Sequence, residues 1–493
     1  MDERESREEK LHSLRAAQQE PFPPRLTRPR THTTAEAIAQ FDELAAEKTH
    51  ITIVGRIVLQ RNMGKVVFAH LEDGSGRLQV YMKRDDIGDL FDHVKELDLG
   101  DFIEATGYLF LTRTGEKTLH LNHFAVLSKS LRGLPAKHDG LKDVEIRQRK
   151  RYLDLIANRD EVLPVFIARA KTIASIRRFL DDLGYLEVET PILQSLFGGA
   201  TARPFVTHHN TLERDLFLRI APELYLKRLL VGGIERVYEV ARNFRNEGID
   251  RTHNPEFTML EFYEAFADYT VMMDRVEDLV RYVTEHVTGT TTVSWQGIDL
   301  DIGSPWRRIT FHDAIFEYTG IDYDLYPDKA SLLQAMRDKH IKVDPNRGRG
   351  RLIDELKDEM FRVGGPELMQ PIILFDSPID LSPLAKKKPG QPDIVERFQV
   401  HLGGMQLATA FSELNDPLDQ RARFEDQLRQ RAEGDDEAQE LDEDYIEALE
   451  VGMPPAGGVG IGIDRLVMAL TDRTQIRDVL LFPTMREQDD NQR

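Results

Sequence analysis

Between residues 51 and 130, apolar and polar positions alternate in short runs. Five of these runs read ITIVGRIVLQ, KVVFAHLED, GRLQVYM, DFIEATGYLFL and EKTLHLNHFAVL, and glycine turns separate them. A period of two indicates strands that bury one face. Five strands in so short a span are typical of a small closed barrel, so we predict an OB-fold domain over residues 51–130. Residues 1–50, which open with a charged helical pattern and then carry several prolines, predict a helical arm.

The predicted barrel carries side chains that are suited to contacts with bases. Phe68 and His70 share one face, while Gln79 and Tyr81 share another. Such barrels bind single strands through aromatic rings that stack on bases and amides that read base edges. Ordinary cross-strand packing is the alternative, and these residues taken alone favour it.

After the barrel the pattern changes to a helical period. Residues 131–160 predict a linker, and its basic cluster at 147–151 is either a solvated helix face or a phosphate contact. From Asp160 to Leu183 apolar residues recur every three or four positions, which predicts an amphipathic helix that Gly184 can end. A strand, YLEVETPIL, follows at once.

Residues 236–263, RVYEVARNFRNEGIDRTHNPEFTMLEFY, predict an antiparallel hairpin with a long, turn-rich loop. Because side chains alternate along a strand, one face of the second arm presents Phe257, Met259, Glu261 and Tyr263. A ring that stacks on a base, a carboxylate that faces an ammonium and a guanidinium that grips a phosphate suit a nucleotide beside a cationic ligand. A charged loop that is merely exposed to water is the alternative.

A second glycine-rich stretch, MPPAGGVGIGIDRLVMAL, lies near the end of the chain. Its Asp464 can cap the helix that Arg465 opens. The stretch matches neither GxGxxG nor GxxxxGK[ST], and neither pattern occurs elsewhere, so any nucleotide must be bound in another way.

Composition narrows the class of protein. The chain has 493 residues, of which 41% are hydrophobic and 30% are charged, so we expect two or three globular domains. It has no cysteine, which excludes disulfides, thiolate zinc sites and a thiol nucleophile. A net charge of −20 requires that any nucleic acid be held by local basic patches. No apolar run has the length of a membrane span and the start lacks the apolar core of a signal peptide, so we expect a cytoplasmic protein.

Three strings resemble the signature motifs of the class II aminoacyl-tRNA synthetases. The hairpin string, from Arg-Asn-Glu-Gly through His-Asn-Pro-Glu-Phe to Glu-Phe-Tyr, closely resembles the second motif, and in its details it is similar to the bacterial lysine enzymes of subclass IIb. The long helix, the strand and Pro191 resemble the first motif, which forms the dimer interface in that family. The glycine-rich strand that precedes Arg465 resembles the third.

The resemblance implies an α+β fold. An N-terminal OB barrel that binds the anticodon would precede a catalytic domain, over residues 161–493, with a mostly antiparallel sheet flanked by helices. Residues 266–370, which are helical and poor in motifs, would be a helical insertion in that domain. A homodimer is also implied.

The resemblance also implies roles for individual residues. The catalytic pair would be Arg245, on the α-phosphate of ATP, and Arg465, on the distal phosphates. ATP would be bound by Arg245, Glu247, His253, Asn254, Phe257 and Arg465. Lysine would be bound by Gly199, Glu223, Glu261, Tyr263, Thr409, Phe411 and Glu413. The anticodon would be bound by Phe68, Gln79 and Glu116.

One stretch departs from the pattern of the family. Gln399 and Gln406 stand at two metal positions where the family usually has glutamates that hold Mg²⁺ on ATP, and Thr409 replaces an asparagine. A neutral amide is a poorer ligand for Mg²⁺ than a carboxylate. Metal can still bind through the ATP phosphates, so ATP and Mg²⁺ are the expected cofactors.

The resemblance implies activation of L-lysine with ATP and transfer of the lysyl group to the 3′ end of tRNA(Lys). Two alternatives follow from particular features. A non-catalytic tRNA-binding or regulatory relative is motivated by Gln399 and Gln406. A ligase that moves lysine onto a protein or a lipid is disfavoured, because the chain has the barrel and no membrane span.

Overall fold

A computed structural model describes residues 2–135, 141–345, 347–382, 384–432 and 441–486. The chain divides into two compact units, residues 1–142 and residues 143–493. The finer boundaries predicted at residues 50, 130 and 160 stay predictions. Within the described ranges, none of the helices is both long enough and apolar enough to cross a membrane.

The first unit is built on the five predicted strands. Its elements in chain order are α1 Glu3–Ala16, α2 Thr34–Ala39, α3 Phe41–Ala46, β1 His50–Asn62, β2 Val66–Glu72, β3 Arg77–Lys83, α4 Arg84–Ile87, α5 Phe91–Val94, β4 Phe102–Leu111 and β5 Lys117–Ser128. The strands close into a barrel in the order β1-β2-β3-β5-β4. Alternate residues such as Ile51, Ile53 and Ile57 point inward and are buried, as the period of two requires. The predicted barrel is confirmed.

The N-terminal arm is helical at its start and packs within the first unit. Leu14 of α1 belongs to the same buried cluster as the barrel residues. Arg7 of α1 donates from Nη1 to the carbonyl oxygens of Leu99 and Ser130, at 3.0 Å each. Hydrogen bonds and buried apolar area therefore both hold this helix against the barrel.

The second unit alternates helices with the strands of a large sheet. Its elements in chain order are α6 Val144–Arg149, α7 Arg151–Ala157, α8 Arg159–Asp182, β6 Leu186–Glu187, β7 Leu193–Gln194, β8 Phe205–His209, β9 Arg214–Leu218, α9 Glu223–Val231, β10 Arg236–Phe244, β11 Glu256–Ala265, α10 Tyr269–Thr288, β12 Thr292–Trp295, β13 Ile298–Asp301, β14 Arg307–Thr310, α11 Phe311–Thr319, α12 Lys329–Asp338, α13 Arg349–Val363, β15 Ile372–Pro378, β16 Lys387–Lys388, β17 Gln391–Leu402, β18 Met405–Ser412, α14 Pro417–Ala432, α15 Glu443–Gly452, β19 Ala456–Gly462 and α16 Ile463–Leu470.

The large sheet has the strand order β14-β15-β17-β18-β19-β11-β10-β6, and β16 pairs with β17. Among the described strand pairs of this sheet, only β14–β15 and β10–β6 are parallel, so the sheet is mostly antiparallel. One face packs on the apolar side of α8, α10 and α16, where Ile176, Val276 and Leu466 join Leu260 and Phe262 of β11 in one buried cluster. The opposite face of β11 is left for polar chemistry. The predicted α+β fold is confirmed.

The region predicted as a helical insertion, residues 266–370, contains strands as well as helices. α10 packs in the core under the sheet, and β14 joins the large sheet beside β15. Helices α11, α12 and α13 instead surround a separate apolar cluster that includes Leu332 and Leu356. The extent of any insertion stays a prediction.

The basic cluster at residues 147–151 is used largely inside the second unit. Arg147 binds Asp154, at 2.7 Å from Nε to Oδ1, and Arg149 binds Glu145, also at 2.7 Å. Arg151 is buried and binds Asp154 at 2.6 Å. These pairs favour the structural alternative over the phosphate contact.

Candidate active site

The predicted hairpin forms the centre of the site. Strands β10 and β11 pair antiparallel from Arg236↔Glu264 to Phe244↔Glu256, and residues 245–255 form the loop. The backbone N–H of Arg245 donates to the carbonyl oxygen of Pro255 at 2.8 Å, which closes the base of the loop. The predicted hairpin with a long loop is therefore confirmed.

Four adjacent strands align side chains in rows across the face of the sheet that lines the cavity. The first row runs through Glu261, Gly460, Thr409 and Gln399, and the second through Tyr263, Gly458, Phe411 and Arg397. Residues directly opposite one another on paired strands project from the same face. Above the rows lies a cavity of about 1850 Å³. The register thus collects residues from three distant parts of the chain.

The glycine-rich strand β19 lies between β18 and β11 and forms the floor of the cavity, where it leaves space for a ligand. A Cβ atom built on Gly458 would overlap Glu413 Oε1 and the Tyr263 ring. The lack of a side chain at this position is therefore a steric requirement of the site. Gly462, at the end of the same strand, has no such requirement, because its nearest neighbour would lie 3.7 Å from an added Cβ.

We expect Gly458→Ala to raise the KM for lysine by about 10- to 100-fold, because overpacking costs about 1–3 kcal/mol. Gly462→Ala, on the same strand, is the matched control and should leave that KM near its original value. The measurement is steady-state kinetics at varied lysine concentration. If both substitutions changed the KM equally, the lack of a side chain at Gly458 would not be a steric requirement of the site.

Three carboxylates and one ammonium meet at one end of the rows. Lys227 Nζ lies 2.5 Å from Glu223 Oε1 and is also ion-paired with Glu413. Tyr263 donates from its hydroxyl to Glu261 Oε2 at 3.0 Å. All five side chains are buried, and that of Lys227 is 0% exposed. When all are ionised, three negative charges and one positive charge leave a net charge of −2.

Burial sets the protonation of this cluster. Loss of hydration, together with the nearby charge of Glu223, raises the pKa of Glu261 to about 8. Burial also raises the pKa values of Glu223, Glu413 and Tyr263. The pKa of Lys227 is raised because Glu223 and Glu413 outweigh the cost of burying the ammonium. Near neutral pH Glu261 therefore holds a proton that a cationic ligand would displace.

We expect binding of lysine at pH 7 to release about one proton per site, because the ligand stabilises the ionised carboxylates. Unfolded glutamate titrates near 4.5, and folded Glu261 titrates near 8. Between these two pKa values the folded state holds a proton that the unfolded state has lost. The ligand-free protein therefore loses stability as pH rises from about 4.5 to about 8, while its affinity for lysine increases. Calorimetry in two buffers of different ionisation enthalpy measures the release. Identical enthalpies in both buffers, or release that persists in Glu261→Gln, would contradict this prediction.

The other residues predicted to bind lysine border the same cluster. Gly199 has a φ of +84°, and an added Cβ would lie 2.9 Å from the Cβ of Glu223. Lys227 Nζ lies 5.2 Å from the centre of the Phe411 ring. Thr409 accepts a hydrogen bond from Gln406 Nε2 at 2.8 Å. The structure therefore brings the lysine set predicted from the sequence to one region.

The predicted nucleotide residues lie further along the same face. The Arg245 guanidinium carbon lies 5.0 Å from the centre of the Phe257 ring. Arg245 Nε is buried and has no hydrogen-bond partner among the described residues. Burial lowers the pKa of Arg245, although the charges of Glu247 and Glu261 oppose that change. A buried guanidinium beside an aromatic face can receive a phosphate whose base stacks on the ring.

Arg465 of α16 contacts the hairpin loop, residues 245–255. It donates from Nη1 to the carbonyl oxygen of Gln406 at 2.7 Å, and its Nη2 lies 2.9 Å from His253 Nε2. His253 Nδ1 in turn lies 2.8 Å from Asp250. Asn254 donates from Nδ2 to the Glu256 carbonyl oxygen at 2.6 Å, so it shapes the loop. The two arginines predicted from separate motifs thus face one loop.

The predicted cap at Asp464 is wrong. Helix α16 begins at Ile463, two residues before the predicted first residue Arg465, and Gly462 occupies the N-cap without a side-chain bond. Asp464 Oδ1 instead accepts from Arg169 Nη1 at 2.5 Å, and its Oδ2 accepts from the Thr258 N–H at 2.8 Å. Its carboxylate therefore joins α8, β11 and α16 behind the site. The actual N-cap thus lies two positions before the predicted one, and it is a glycine rather than an aspartate.

Two of the cations that sequence reasoning missed could have been found from their spacing. Lys227 follows Glu223 by four residues on α9, a spacing that places both on one helix face, so the pair could have been found. Arg397 precedes Gln399 by two residues on β17, and the same alternation would have placed it on the exposed face of the sheet.

Gln399 and Gln406 both line the cavity, but their surroundings do not fit a protein-held Mg²⁺. Gln399 Oε1 lies 3.4 Å from His401 Nε2, and the Gln406 amide donates to a hydroxyl. Lys357, Arg397 and Arg465 are close enough to His401 for their charges, after burial, to lower its pKa. Two neutral amides among cations are a poor donor set for Mg²⁺.

In the part of the chain that the structure describes, one group of three or more acidic or histidine side chains is close enough to share a metal ion. It consists of His312, Asp322 and Asp324, which are outside the two rows of the site. Exposed acidic groups of this kind occur without an ion, so the group carries no metal assignment.

The first unit presents a second polar and aromatic surface on its barrel. The register pairs Phe68 with Tyr81 and His70 with Gln79, so the two faces predicted as separate are one face. The Phe68 and Tyr81 rings lie 5.1 Å apart. Gln79 Oε1 accepts from Thr118 Oγ1 at 2.8 Å, and Glu116 Oε1 lies 2.9 Å from His70 Nε2. The three residues predicted to bind the anticodon are thus on neighbouring strands or at their ends.

Comparison with known proteins identifies similar chains over both units. Residues 143–486 match the tRNA synthetases class II (D, K and N), and residues 51–127 match the OB-fold nucleic acid binding domain. The lysine–tRNA ligase of Chloroflexus aurantiacus is 50% identical over 98% of this chain and 97% of its own length. Those of Roseiflexus castenholzii and Moorella thermoacetica are 52% and 50% identical, over 97% and 98% of this chain and 97% of their own lengths.

Proposed function

Because the chain belongs to the lysine–tRNA ligases within the class II tRNA synthetases, we propose that it activates L-lysine with ATP and charges tRNA(Lys) through the residues described above. The observation that carries the assignment of residues is the buried carboxylate cluster next to Arg245 and Phe257. When its carboxylates are ionised, the pocket has a net charge of −2, which suits the two ammonium groups of lysine. A guanidinium beside a ring suits the α-phosphate and the base of ATP.

The reaction has two steps and needs no protein nucleophile. First, the lysine carboxylate attacks the α-phosphate of ATP, and the bond to the β-phosphate breaks, which gives lysyl-adenylate and pyrophosphate. Then a terminal hydroxyl of the tRNA attacks the lysyl carbonyl, loses its proton and releases AMP. Catalysis rests on positioning and on stabilisation of developing charge. In this assignment, Arg245 stabilises the charge that develops on the α-phosphate, and Arg465 binds the distal phosphates.

Selectivity for lysine follows from the charge of the cluster. We assign the ammonium groups of lysine to Glu223, Glu261 and Glu413, with Tyr263 as a further polar contact. Glu239, which lies opposite Glu261, is excluded from this count because Arg219 neutralises it at 2.5 Å. An amino acid with a neutral side chain would leave buried carboxylates unpaired, and such groups are costly.

Recognition of the anticodon is assigned to the barrel surface. Phe68 offers a ring that can stack on a base, and Gln79 and Glu116 offer polar groups that can read base edges. The aromatic contact between Phe68 and Tyr81 supports this assignment, because the second ring fixes the first as a platform.

We expect Phe68→Ala to reduce kcat/KM for tRNA charging by about 10- to 100-fold, because loss of a base stack costs about 1–3 kcal/mol. Lysine-dependent exchange of pyrophosphate into ATP should be unchanged, since that reaction does not use the anticodon. Leu111→Ala, which alters an exposed apolar residue of the same barrel, is the control. A loss of both activities together would contradict the assignment.

The proposal includes a cytoplasmic homodimer that takes ATP as its magnesium complex. Dimerisation is supported by large apolar side chains that are exposed on the segment resembling the first motif: Ile167, Leu186, Ile192 and Leu193. Monomers seldom expose contiguous apolar surface without a partner. Mg²⁺ often keeps several waters and is held mainly by substrate phosphates, so ATP itself would carry the ion.

Lysine-dependent pyrophosphate exchange into ATP tests the function. We expect exchange with lysine and much weaker exchange with arginine or ornithine, because the cluster requires two correctly spaced ammonium groups. A folded protein with no exchange at any magnesium concentration would support the non-catalytic alternative. Similarity to lysine–tRNA ligases over 97–98% of the chain does not favour that alternative.

A further inference from the structure

One part of the cavity wall has an unusual charge distribution. We call this region the phosphate wall and define it by Gln399, Gln406, Lys357, Arg397 and Arg465, which all line the cavity. Two of these side chains are neutral amides and three are cations. This inference rests on the proposed function, since it concerns how the same site holds ATP.

The three cations of the phosphate wall differ in how strongly they are already bound. Arg465 donates to the backbone of Gln406 at 2.7 Å. Lys357 Nζ lies 2.8 Å from Asp354 Oδ1. Arg397 shares its strand face with Gln399, and its one hydrogen bond among the described residues is a long one, 3.5 Å, to the Leu381 carbonyl oxygen. Arg397 therefore has capacity to bind an anion.

The amides differ from carboxylates in what they offer to a phosphate. A carboxylate only accepts hydrogen bonds when ionised, so it needs a cation between itself and a phosphate oxygen. A glutamine NH₂ group donates to a phosphate oxygen directly. Within the described ranges, no acceptor is bonded to the Gln399 NH₂ group, whose oxygen faces His401.

Charge balance gives the same result. The formal charges of two carboxylates and one Mg²⁺ add up to zero. Two neutral amides without an ion also have a total charge of zero. Replacing both glutamates with Gln399 and Gln406 therefore presents the same total charge to the triphosphate without an ion held by the protein. Arg397 would further disfavour a divalent ion at this place, because like charges repel at short range. Lys357 contributes less, since Asp354 and Asp358 already pair with it.

We propose that Gln399 and Gln406 bind triphosphate oxygens directly, and that the only divalent ion in the loaded site is the one that ATP carries. The amides replace an ion that carboxylates at these positions would require. Arg397 is the cation that faces the same oxygens. The chain thus binds ATP with fewer protein-held ions than a site with glutamates at 399 and 406.

Counting bound Mn²⁺ tests this proposal without relying on activity. We expect electron paramagnetic resonance, with lysine and a non-hydrolysable ATP analogue, to show about one Mn²⁺ per site, since Mg²⁺-type ions are held mainly by substrate phosphates. The double variant Gln399→Glu/Gln406→Glu should bind at least about one more ion per site, because two carboxylates then face the phosphates. The control is Gln40→Glu/Gln334→Glu, which makes the same charge change at two exposed positions.

Two or more ions per site in the original chain would overturn the proposal, and so would an unchanged count in a folded double variant. If that variant does not fold, calorimetry of the original chain decides. We expect ATP in excess chelator to bind within about 10-fold of its magnesium complex, and Gln399→Ala to lose about 10-fold of this metal-free affinity, as for a hydrogen bond to a charged group. Metal-free ATP that fails to bind would overturn the proposal.

Pyrophosphate exchange on the same samples separates this inference from the proposed function. A chain that holds one ion per site but shows no lysine-dependent exchange would refute the function and retain the inference. A chain that shows lysine-dependent exchange but binds two or more ions per site would support the function and refute the inference.

Discussion

Arg245→Ala should reduce lysine-dependent pyrophosphate exchange by at least about 100- to 1,000-fold, the usual cost of removing one preorganised group that stabilises transition-state charge. The Arg245 guanidinium is buried beside Phe257, and its Nε lacks a partner among the described residues. A phosphate oxygen would supply that partner. The loss should appear in kcat more than in the KM for lysine, since lysine is held by other residues.

Arg242→Ala is the matched control for this prediction. Arg242 lies on the same hairpin, its side chain is 47% exposed, and it forms only a 3.5 Å pair with Glu256 in the described part of the chain. Its removal should leave exchange nearly unchanged. Near-normal exchange in Arg245→Ala, from a protein with an unchanged unfolding transition, would remove Arg245 from the catalytic step.

Lys227→Met should lower the free energy of unfolding by about 3–5 kcal/mol, because breaking a buried ion pair leaves an uncompensated charge. Lys227 is fully buried between Glu223 and Glu413, which would face each other without a cation. The remaining carboxylates would bind protons more tightly, so the pH at which lysine binds best should shift upward. Urea unfolding and the pH dependence of the KM for lysine measure the two effects.

Lys171→Met is the control for stability, because Lys171 is exposed on α8. It should alter the free energy of unfolding by no more than about 0.5 kcal/mol, as is usual for surface substitutions. If Lys227→Met had no larger effect than this control, Lys227 would have no role as the internal counter-ion. If stability fell without any change in the pH profile, its role would be structural only.

The sequence was sufficient to predict local structure where periodicity is strong. The hairpin and its exposed face followed from alternation along a single strand, and β10 and β11 pair as that alternation requires. The barrel followed in the same way from five alternating runs. Both predictions depended only on residues close together in the chain.

What the sequence could not predict is the registry between distant strands. Glu261, Thr409 and Gln399 form one row only because Gly460 lies opposite both Glu261 and Thr409. A shift of one residue would move a whole set of side chains to the other face. No local pattern fixes that registry, so only the resemblance to the class II synthetases grouped these residues in advance.

Some errors came from reading a side chain in its local context alone. Asp464 was a reasonable capping residue before Arg465, but a half-buried arginine of α8 and a backbone N–H of β11 compete for its carboxylate. Lys227 was overlooked because a lysine in a helix is usually exposed. In both cases tertiary partners decided the outcome.

The floor at Gly458 limits how drug resistance could arise in this site. An inhibitor that filled only the space above Gly458 would be expelled by a larger residue at that position. The same residue would overlap Glu413 and Tyr263 with no inhibitor present, and these are two of the side chains assigned to lysine. A substitution that excludes such a compound would therefore also weaken binding of the natural amino acid, so resistance by this route would reduce activity.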